Sequence, residues 1–446
     1  MRIVIAGAGE VGMHLTKMLS SENHELVIID NDLDRLKVAG STYDVMTIEG
    51  NANSISHLRE SKISKADLFI GVTFSEDVNI NAAILSKKLG AHKTISRIDN
   101  QEYLLPANQE IFNNLGVDYM IYPEKIAARE IVGLLSQTGS TEVVEFSGGK
   151  LQMYVIRLDE NAPIINKSLR ELSQNEIALE YRAVAITRDG QTIIPSGDDR
   201  FSVGDLVYVI SSPAGIKGLY KYSGKKQFEV RNIMILGGSR IGRKTAQNLG
   251  AQHYVKLIEK DRQRSYKLSN MLNNTLVING DGTNLELLKQ EGLDKMDAFV
   301  AVTGNSETNI LSCLLAKHLG VKRTIAEVEN IDYIHLAENI GVDTIINKKL
   351  ITASRIFRFT MTDEVSSIKC LTGTDAEVME FIVKPDSPST KGAIKEIHFP
   401  KGAIIGGVIR GKNAFIAHGE TEIKPYDRVV VFALPGEIRT IGRFFN

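Results

Sequence analysis

Residues 2–12 read RIVIAGAGEVG, and residues 232–242 read NIMILGGSRIG. Each is an apolar run that ends in a glycine-rich turn. The offset of 230 between them persists along the chain: Ile48-Glu49-Gly50 falls on Ile278-Asn279-Gly280, Asp67 on Asp297, Val72-Thr73 on Val302-Thr303, and Asn79-Ile80 on Asn309-Ile310. After a five-residue deletion in the second copy, Leu115-Gly116-Val117-Asp118 matches Ile340-Gly341-Val342-Asp343. A period this long marks a duplicated domain, because solenoid units repeat every ~20–50 residues.

Within the first copy, short apolar runs alternate with amphipathic segments. Val11, Leu15, Met18 and Leu19 lie on one face of a helix that follows the strand Ile3–Ile5. The pattern predicts further strands at Leu26–Ile29, Asp44–Ile48, Leu68–Val72, Thr94–Ile98 and Tyr119–Tyr122, with helices between them. Strands apolar on both faces, joined by helices, form a parallel doubly wound sheet. A further helix follows each sheet, about Pro123–Leu135 and Lys348–Phe359, and is placed to cross over to a neighbour. The composition then changes to short β runs and glycine turns. Glu142-Val143-Val144-Glu145-Phe146 matches Glu377-Val378-Met379-Glu380-Phe381, so these segments are duplicated too. The expected fold is α/β: two tandem Rossmann-like doubly wound parallel-sheet domains, each followed by a small α+β C-terminal module. The predicted order is N module 1 (1–136), C module 1 (137–224), N module 2 (225–362) and C module 2 (363–446), with a polar joint near Ser223-Gly224-Lys225-Lys226.

Charge is balanced, with 53 basic and 54 acidic residues, which argues against nucleic acid as a partner. The two cysteines, Cys313 and Cys370, make neither a disulfide framework nor a CxxC zinc motif, and Cys313 sits among Leu311, Leu314 and Leu315 as a buried helix position would. The N-terminus runs straight into a strand without a basic leader, and no apolar run approaches the ~20 residues of a bilayer span. A reducing cytoplasm fits, and any pore must come from another polypeptide.

Gly7-Ala8-Gly9-Glu10-Val11-Gly12 is GxGxxG between a strand and a helix. Gly7 permits the tight turn, Gly9 lets a pyrophosphate approach the backbone, and Gly12 lets helix and strand pack closely. The phosphate would sit on the free N–H groups of the helix N-terminus. Asp30 ends the second strand, 18 residues past Gly12, placed to accept from an adenosine ribose and to disfavour a 2′-phosphate. Thr73 and Phe74 end a later strand at the carboxyl edge where such sheets bind ligands. Arg97 could reach a phosphate. The second loop, Gly237-Gly238-Ser239-Arg240-Ile241-Gly242, loses the middle glycine, while the acid survives as Glu259. Glu10 and Arg97 become Arg240 and Glu327. Either each couple is an ion pair with its ends exchanged, or Arg240 takes over the phosphate contact; the ion pair is the favoured reading.

VIAGAGEVG, the Asp30 strand end, VTFSEDVN, the TISRI strand carrying Arg97, the C-terminal β modules and the tandem order together resemble the two-repeat RCK family, the regulators of conductance of potassium. The resemblance covers nearly the whole chain. It implies a non-enzymatic regulatory subunit in which nucleotides, NAD or NADH and also ATP or ADP, occupy the N modules. It further implies a homo-oligomeric ring, four copies presenting eight N modules, beneath a separate membrane-embedded Trk-type potassium channel or transporter subunit. That placement is cytoplasmic and peripheral on the inner face of the membrane. Some members bind cyclic di-adenylate in the C modules, and no residue here decides that point. Two other readings remain. A dehydrogenase would need an acid/base facing the nicotinamide and a substrate domain, whereas the nine histidines are scattered and the C modules are small. A nucleotide-binding scaffold without a channel partner differs only in what co-purifies with it.

Overall fold

The computed structural model describes the whole chain except residues 23, 137–138, 174–179, 189–190, 226–227, 251–252, 361–364, 372–373, 375, 435–436 and 446. Lys226 of the expected joint lies outside the described residues.

The first repeat runs β1 (Arg2–Ala6), α1 (Glu10–Ser20), β2 (Glu25–Asp30), α2 (Leu33–Thr42), β3 (Met46–Glu49), α3 (Ile55–Glu60), β4 (Leu68–Gly71), α4 (Glu76–Lys88), β5 (Lys93–Arg97), α5 (Pro106–Leu115), β6 (Tyr119–Ile121) and α6 (Pro123–Ser136). Its six strands are parallel in the order β3-β2-β1-β4-β5-β6, so the order reverses between β1 and β4. That reversal opens the crevice in which doubly wound sheets bind ligands. The sheet is apolar on both faces because helices cover both: Val4, Val27, Ile29 and Phe69 pack with Ala82 and Ala83 of α4 in one core.

The first C module follows as β7 (Glu142–Phe146), β8 (Leu151–Arg157), α7 (Leu169–Ser173), β9 (Tyr181–Arg188), β10 (Gln191–Ile193), β11 (Leu206–Ser211) and α8 (Ile216–Ser223). The second repeat runs β12 (Asn232–Leu236), α9 (Arg240–Asn248), β13 (Tyr254–Glu259), α10 (Arg262–Met271), β14 (Thr275–Asn279), α11 (Leu285–Gln290), β15 (Ala298–Ala301), α12 (Ser306–His318), β16 (Arg323–Glu327), α13 (Asp332–Asn339), β17 (Thr344–Ile346) and α14 (Lys348–Phe357). Its sheet order, β14-β13-β12-β15-β16-β17, repeats the first. The second C module comprises β18 (Val365–Cys370), β19 (Glu377–Ile382), β20 (Ala403–Arg410), β21 (Asn413–Ile416), β22 (Arg428–Ala433) and α15 (Ile438–Phe445). Both C modules carry the same ion pair to a buried aspartate, Arg188 on Asp205 and Arg410 on Asp427, each Arg donating through two nitrogens at 2.7–2.9 Å.

The chain divides into two compact units that do not follow its linear order. Lys349–Lys369 belongs with Met1–Pro123, whereas Glu124–Lys348 and Cys370–Leu434 belong together. The crossover helices are thus exchanged inside one chain: all but the first residue of α6 joins the second sheet's unit, and all but the first residue of α14 joins the first sheet's. In the second unit the two C modules share one core, in which Phe146, Leu151, Tyr208 and Ile210 pack with Val378, Ile409, Val430 and Phe432. Gly406 permits this approach, because a Cβ there would lie 2.1 Å from the Ile210 side chain.

One contact of the second unit makes stability depend on pH. Glu338 of α13 is buried against Arg157 of β8 at 3.3 Å, near Glu142 and Tyr208. Burial pushes its carboxyl up to about 7, against the pull of Arg157 and with a push from Glu142. An unfolded Glu titrates near ~4.3. Between those values the folded chain holds a proton that the unfolded chain has released, so stability falls as pH rises toward 7 and then levels. The full effect is at most about 4 kcal/mol. Glu338→Gln is expected to flatten that part of a stability–pH profile measured by denaturant unfolding from pH 4.5 to 8. An unchanged slope would assign the dependence to other groups.

Candidate nucleotide-binding clefts

The first glycine loop begins with Gly7 at φ +113°, its N–H donating to the Ile29 carbonyl at 2.8 Å. A side chain there would be strained, and its Cβ would lie 3.0 Å from backbone atoms of Val72 and Thr73. Gly12 is demanded still more strictly, because a Cβ would lie 1.8 Å from the Gly7 carbonyl oxygen. Gly9 differs from both. Its φ is −69°, and a Cβ would meet only the Arg35 guanidinium, at 3.9 Å. The protein's own packing therefore accounts for Gly7 and Gly12 and leaves Gly9 unexplained. Gly9 is the N-cap of α1 and supplies no side-chain cap, so the first turn of α1 presents backbone N–H groups to the crevice. Ala8 and Val11 are buried beneath the loop.

Asp30 is tied to this loop. Its Oδ2 accepts from the Ala8 N–H at 2.5 Å and its Oδ1 from the Asp32 N–H at 2.9 Å. A carboxylate has about four lone-pair positions, so a ribose hydroxyl can still be accepted. Across β1, the turn after β4 is held by Asn79, which sequence reasoning treated only as a point of repeat identity. Its Oδ1 accepts from the Thr73 N–H and Oγ1 at 2.8 and 2.7 Å, and its Nδ2 donates to the carbonyls of Thr73 and Arg97 at 3.2 and 3.1 Å. Phe74 follows, 95% exposed. Asn309 repeats the arrangement with Thr303 and Glu327. The shared Asn-Ile dipeptides were the available signal.

The second loop keeps the two structural glycines: Gly237 has φ +106°, and a Cβ on Gly242 would lie 2.1 Å from the Gly237 carbonyl oxygen. Gly238 replaces Ala8 because a Cβ there would lie 2.3 Å from Leu268, seven residues after the α10 cap Asp261; Ala39 stands at the same distance from the α2 cap Asp32. Glu259 accepts from the N–H groups of Gly238 and Asp261 at 3.0 and 2.8 Å. Ser239 caps its own helix, its Oγ accepting from the Gly242 N–H at 3.2 Å. Arg240 opens α9 on the exposed side, and Ile241 is buried.

The favoured ion pairing of the exchanged charges is corrected. Glu10 pairs with Lys349, from the start of α14, while Arg97 is 3.6 Å from Asp99 and Glu327 is 3.2 Å from Lys348. Lys349 and Lys348 of the crossover helix thus neutralise Glu10 and Glu327, in place of the expected Arg97 and Arg240. Sequence reasoning missed Lys349 because 339 residues separate it from Glu10. Glu327 is 3% exposed, and burial holds its carboxyl above the ordinary range despite Lys348. The second cleft therefore carries a buried acid where the first has Arg97.

Elsewhere, Cys313 is buried in α12, which pushes its thiol up and leaves it unreactive. A cavity of about 580 Å³ in the second unit is lined by apolar side chains such as Leu158 and Phe201, with Arg170, Arg182 and His418. Among the described residues, no His/Cys/Asp/Glu group could hold a metal ion, and no helix is long and apolar enough to cross a membrane.

Solved structures of similar fold include the RCK domain of GsuK, at TM-score 0.60 and 18% identity, covering 100% of this chain and 94% of that one. The GsuK channel bound to NAD follows at TM-score 0.59 and 18% identity, covering 100% of this chain and 78% of that one. The TrkA-N domain family model matches residues 3–123 and 233–348, and the TrkA-C domain model matches 153–224 and 378–446. A Trk system potassium uptake protein TrkA homolog of Archaeoglobus fulgidus is 36% identical over 100% of both chains. The Trk system potassium uptake protein TrkA of Vibrio alginolyticus is 32% identical over 97% of this chain and 95% of its own. With both domain types matched twice and relatives similar along their full length, the chain belongs to the TrkA family of Trk potassium-uptake proteins.

Proposed function

We propose that this chain is a nucleotide-sensing regulatory subunit, not an enzyme, that gates a separate membrane-embedded Trk-type potassium channel or transporter from the cytoplasmic face. The observation that carries the nucleotide reading is Gly9: the fold leaves open space above it, beside uncapped N–H groups and beside Asp30. A pyrophosphate fills such a space, and NAD or NADH is the favoured occupant, with ADP and ATP as further ligands. Gly9→Ser tests this. The substitution copies Ser239, so it should leave thermal stability unchanged or a few tenths of a kcal/mol higher through capping. It should weaken NADH binding about tenfold in calorimetry, or ~1.4 kcal/mol. Unchanged affinity would remove the pyrophosphate from this loop.

The second module is the weaker site, or takes a different ligand, because Ser239 occupies a donor of its own helix and Glu327 places a buried acid at the cleft. Wild-type titration is expected to resolve two unequal classes of site per chain. Two identical classes would contradict the asymmetry.

Regulation needs a ligand with different affinity for two arrangements. Glu10 at the first loop is held by Lys349 of the exchanged helix, so charge arriving at the loop acts directly on a segment that follows the second sheet. Both N modules also expose apolar residues at matching positions, Ile111 and Leu115 on α5, and Leu336 on α13 with Ile340 at its C-terminal cap. These faces support a homo-oligomer, four copies in a ring being the reading that matches a gating subunit.

A further inference from the structure

We infer that Phe74 makes the first cleft select a dinucleotide by stacking on its second base, the nicotinamide ring, whereas the second cleft lacks this contact. The inference rests on the nucleotide reading above and deepens it.

Strand order assigns the two sides of the cleft. Asp30 ends β2 on one side of β1, and Phe74 follows β4 on the other. The strands are spaced ~4.8 Å apart, so β2 and β4 lie about 10 Å apart across the sheet, with the glycine loop between their ends. An adenosine ribose on Asp30 and a pyrophosphate over the loop send the second nucleoside toward β4. A mononucleotide such as ADP ends at its phosphates and places nothing there.

Phe74 is built to wait for such a group. It is 95% exposed, yet its backbone is fixed: the preceding Thr73 is held through its N–H, Oγ1 and carbonyl by Asn79. The turn also abuts Gly7, whose missing Cβ would lie 3.0 Å from the Thr73 nitrogen. An exposed aromatic ring on a rigid turn offers a large planar face at little entropic cost, which suits a flat heteroaromatic base. The duplicated turn supplies an internal control. Asn309 holds Thr303 in the same way, but the next residue is Gly304, with nothing within 4 Å of where its Cβ would stand. A side chain has open space at its Cβ there, and no aromatic ring is present.

The test uses the full-length protein. Phe74→Ala should weaken NADH binding about tenfold in calorimetry and leave ADP within about twofold, and Gly304→Phe should strengthen NADH at the weaker class of site. The chain has no tryptophan, so Phe74→Trp places a single one at the cleft. Its emission should be quenched by NADH, with sensitised nicotinamide fluorescence, and should respond much less to ADP. Equal loss of NADH and ADP in Phe74→Ala would mean that the residue only shapes the turn, and overturns the inference. So would unchanged NADH affinity accompanied by a smaller particle in light scattering, which would assign the ring to contact with another copy. A wild-type protein that binds ADP but not NADH overturns the inference and leaves the nucleotide reading standing; one that binds neither overturns both.

Discussion

Asp30→Ala is expected to lower NADH affinity between tenfold and a hundredfold. The substitution removes three acceptor functions at once: the proposed ribose contact, the bond from the Ala8 N–H and the bond from the Asp32 N–H. Hydrogen bonds to a charged group contribute about 1.5–3 kcal/mol each, and losing the bond from Ala8 also loosens the loop that must meet the pyrophosphate. Asp30→Asn separates these effects. It keeps an acceptor oxygen but removes the charge, so it should bind NADH with a smaller loss and discriminate less against NADPH, whose 2′-phosphate the charge repels. Calorimetric titration of both variants with both dinucleotides checks this. Undiminished NADH affinity in Asp30→Ala would place the ribose elsewhere.

Gly12→Ala is expected to destabilise the first compact unit by about 3 kcal/mol or more. Inserting a methyl into a packed site ordinarily costs ~1–3 kcal/mol. Here the obstacle is the Gly7 carbonyl oxygen, 1.8 Å from the new Cβ, and backbone cannot rotate aside as a side chain can. Relief requires α1 to move off β1, which opens the core under Val11 and Leu15. Denaturant unfolding should show the early loss of one transition. The contrast with Gly9→Ser is the informative part: two glycines three residues apart, one required by packing and the other proposed to serve the ligand. A stable Gly12→Ala variant would show that the helix–strand approach is looser than the geometry requires.

The architecture was legible because its signals are local. The run from β1 through the loop and α1 to Asp30 needs only apolar periodicity, three glycines and an acid in order, and the duplication repeats that evidence. Boundaries slipped where side chains extend an element beyond its apolar stripe. The helix after β4 begins at Glu76, ahead of its apolar stripe, because Ser75 caps it and Glu76 accepts from the N–H groups of Asp99 and Asn100 at 2.6 and 2.9 Å. Asn79 itself faces inward as a buried polar clamp, a role that apolar periodicity cannot register. The exchange of crossover helices, the Lys349–Glu10 pair and the core shared by the two C modules all join residues hundreds of positions apart. No propensity or spacing rule reaches that far. Pairing Glu10 with Arg97 failed for the same reason: the charge exchange between repeats was real, but the neutralising group came from another element.

The central claim, that nucleotide in the first cleft controls potassium flux through a separate membrane subunit, is tested most directly by flux itself. The chain would be added to proteoliposomes holding its Trk-type membrane partner, and potassium uptake measured with and without NADH, and with ADP, for the wild type and for Asp30→Ala. The account predicts flux that depends on the presence of the chain and shifts with NADH in the wild type, with the NADH shift displaced to at least tenfold higher ligand in the variant. Flux that ignores nucleotide in the wild type, or that responds identically in Asp30→Ala, would contradict it.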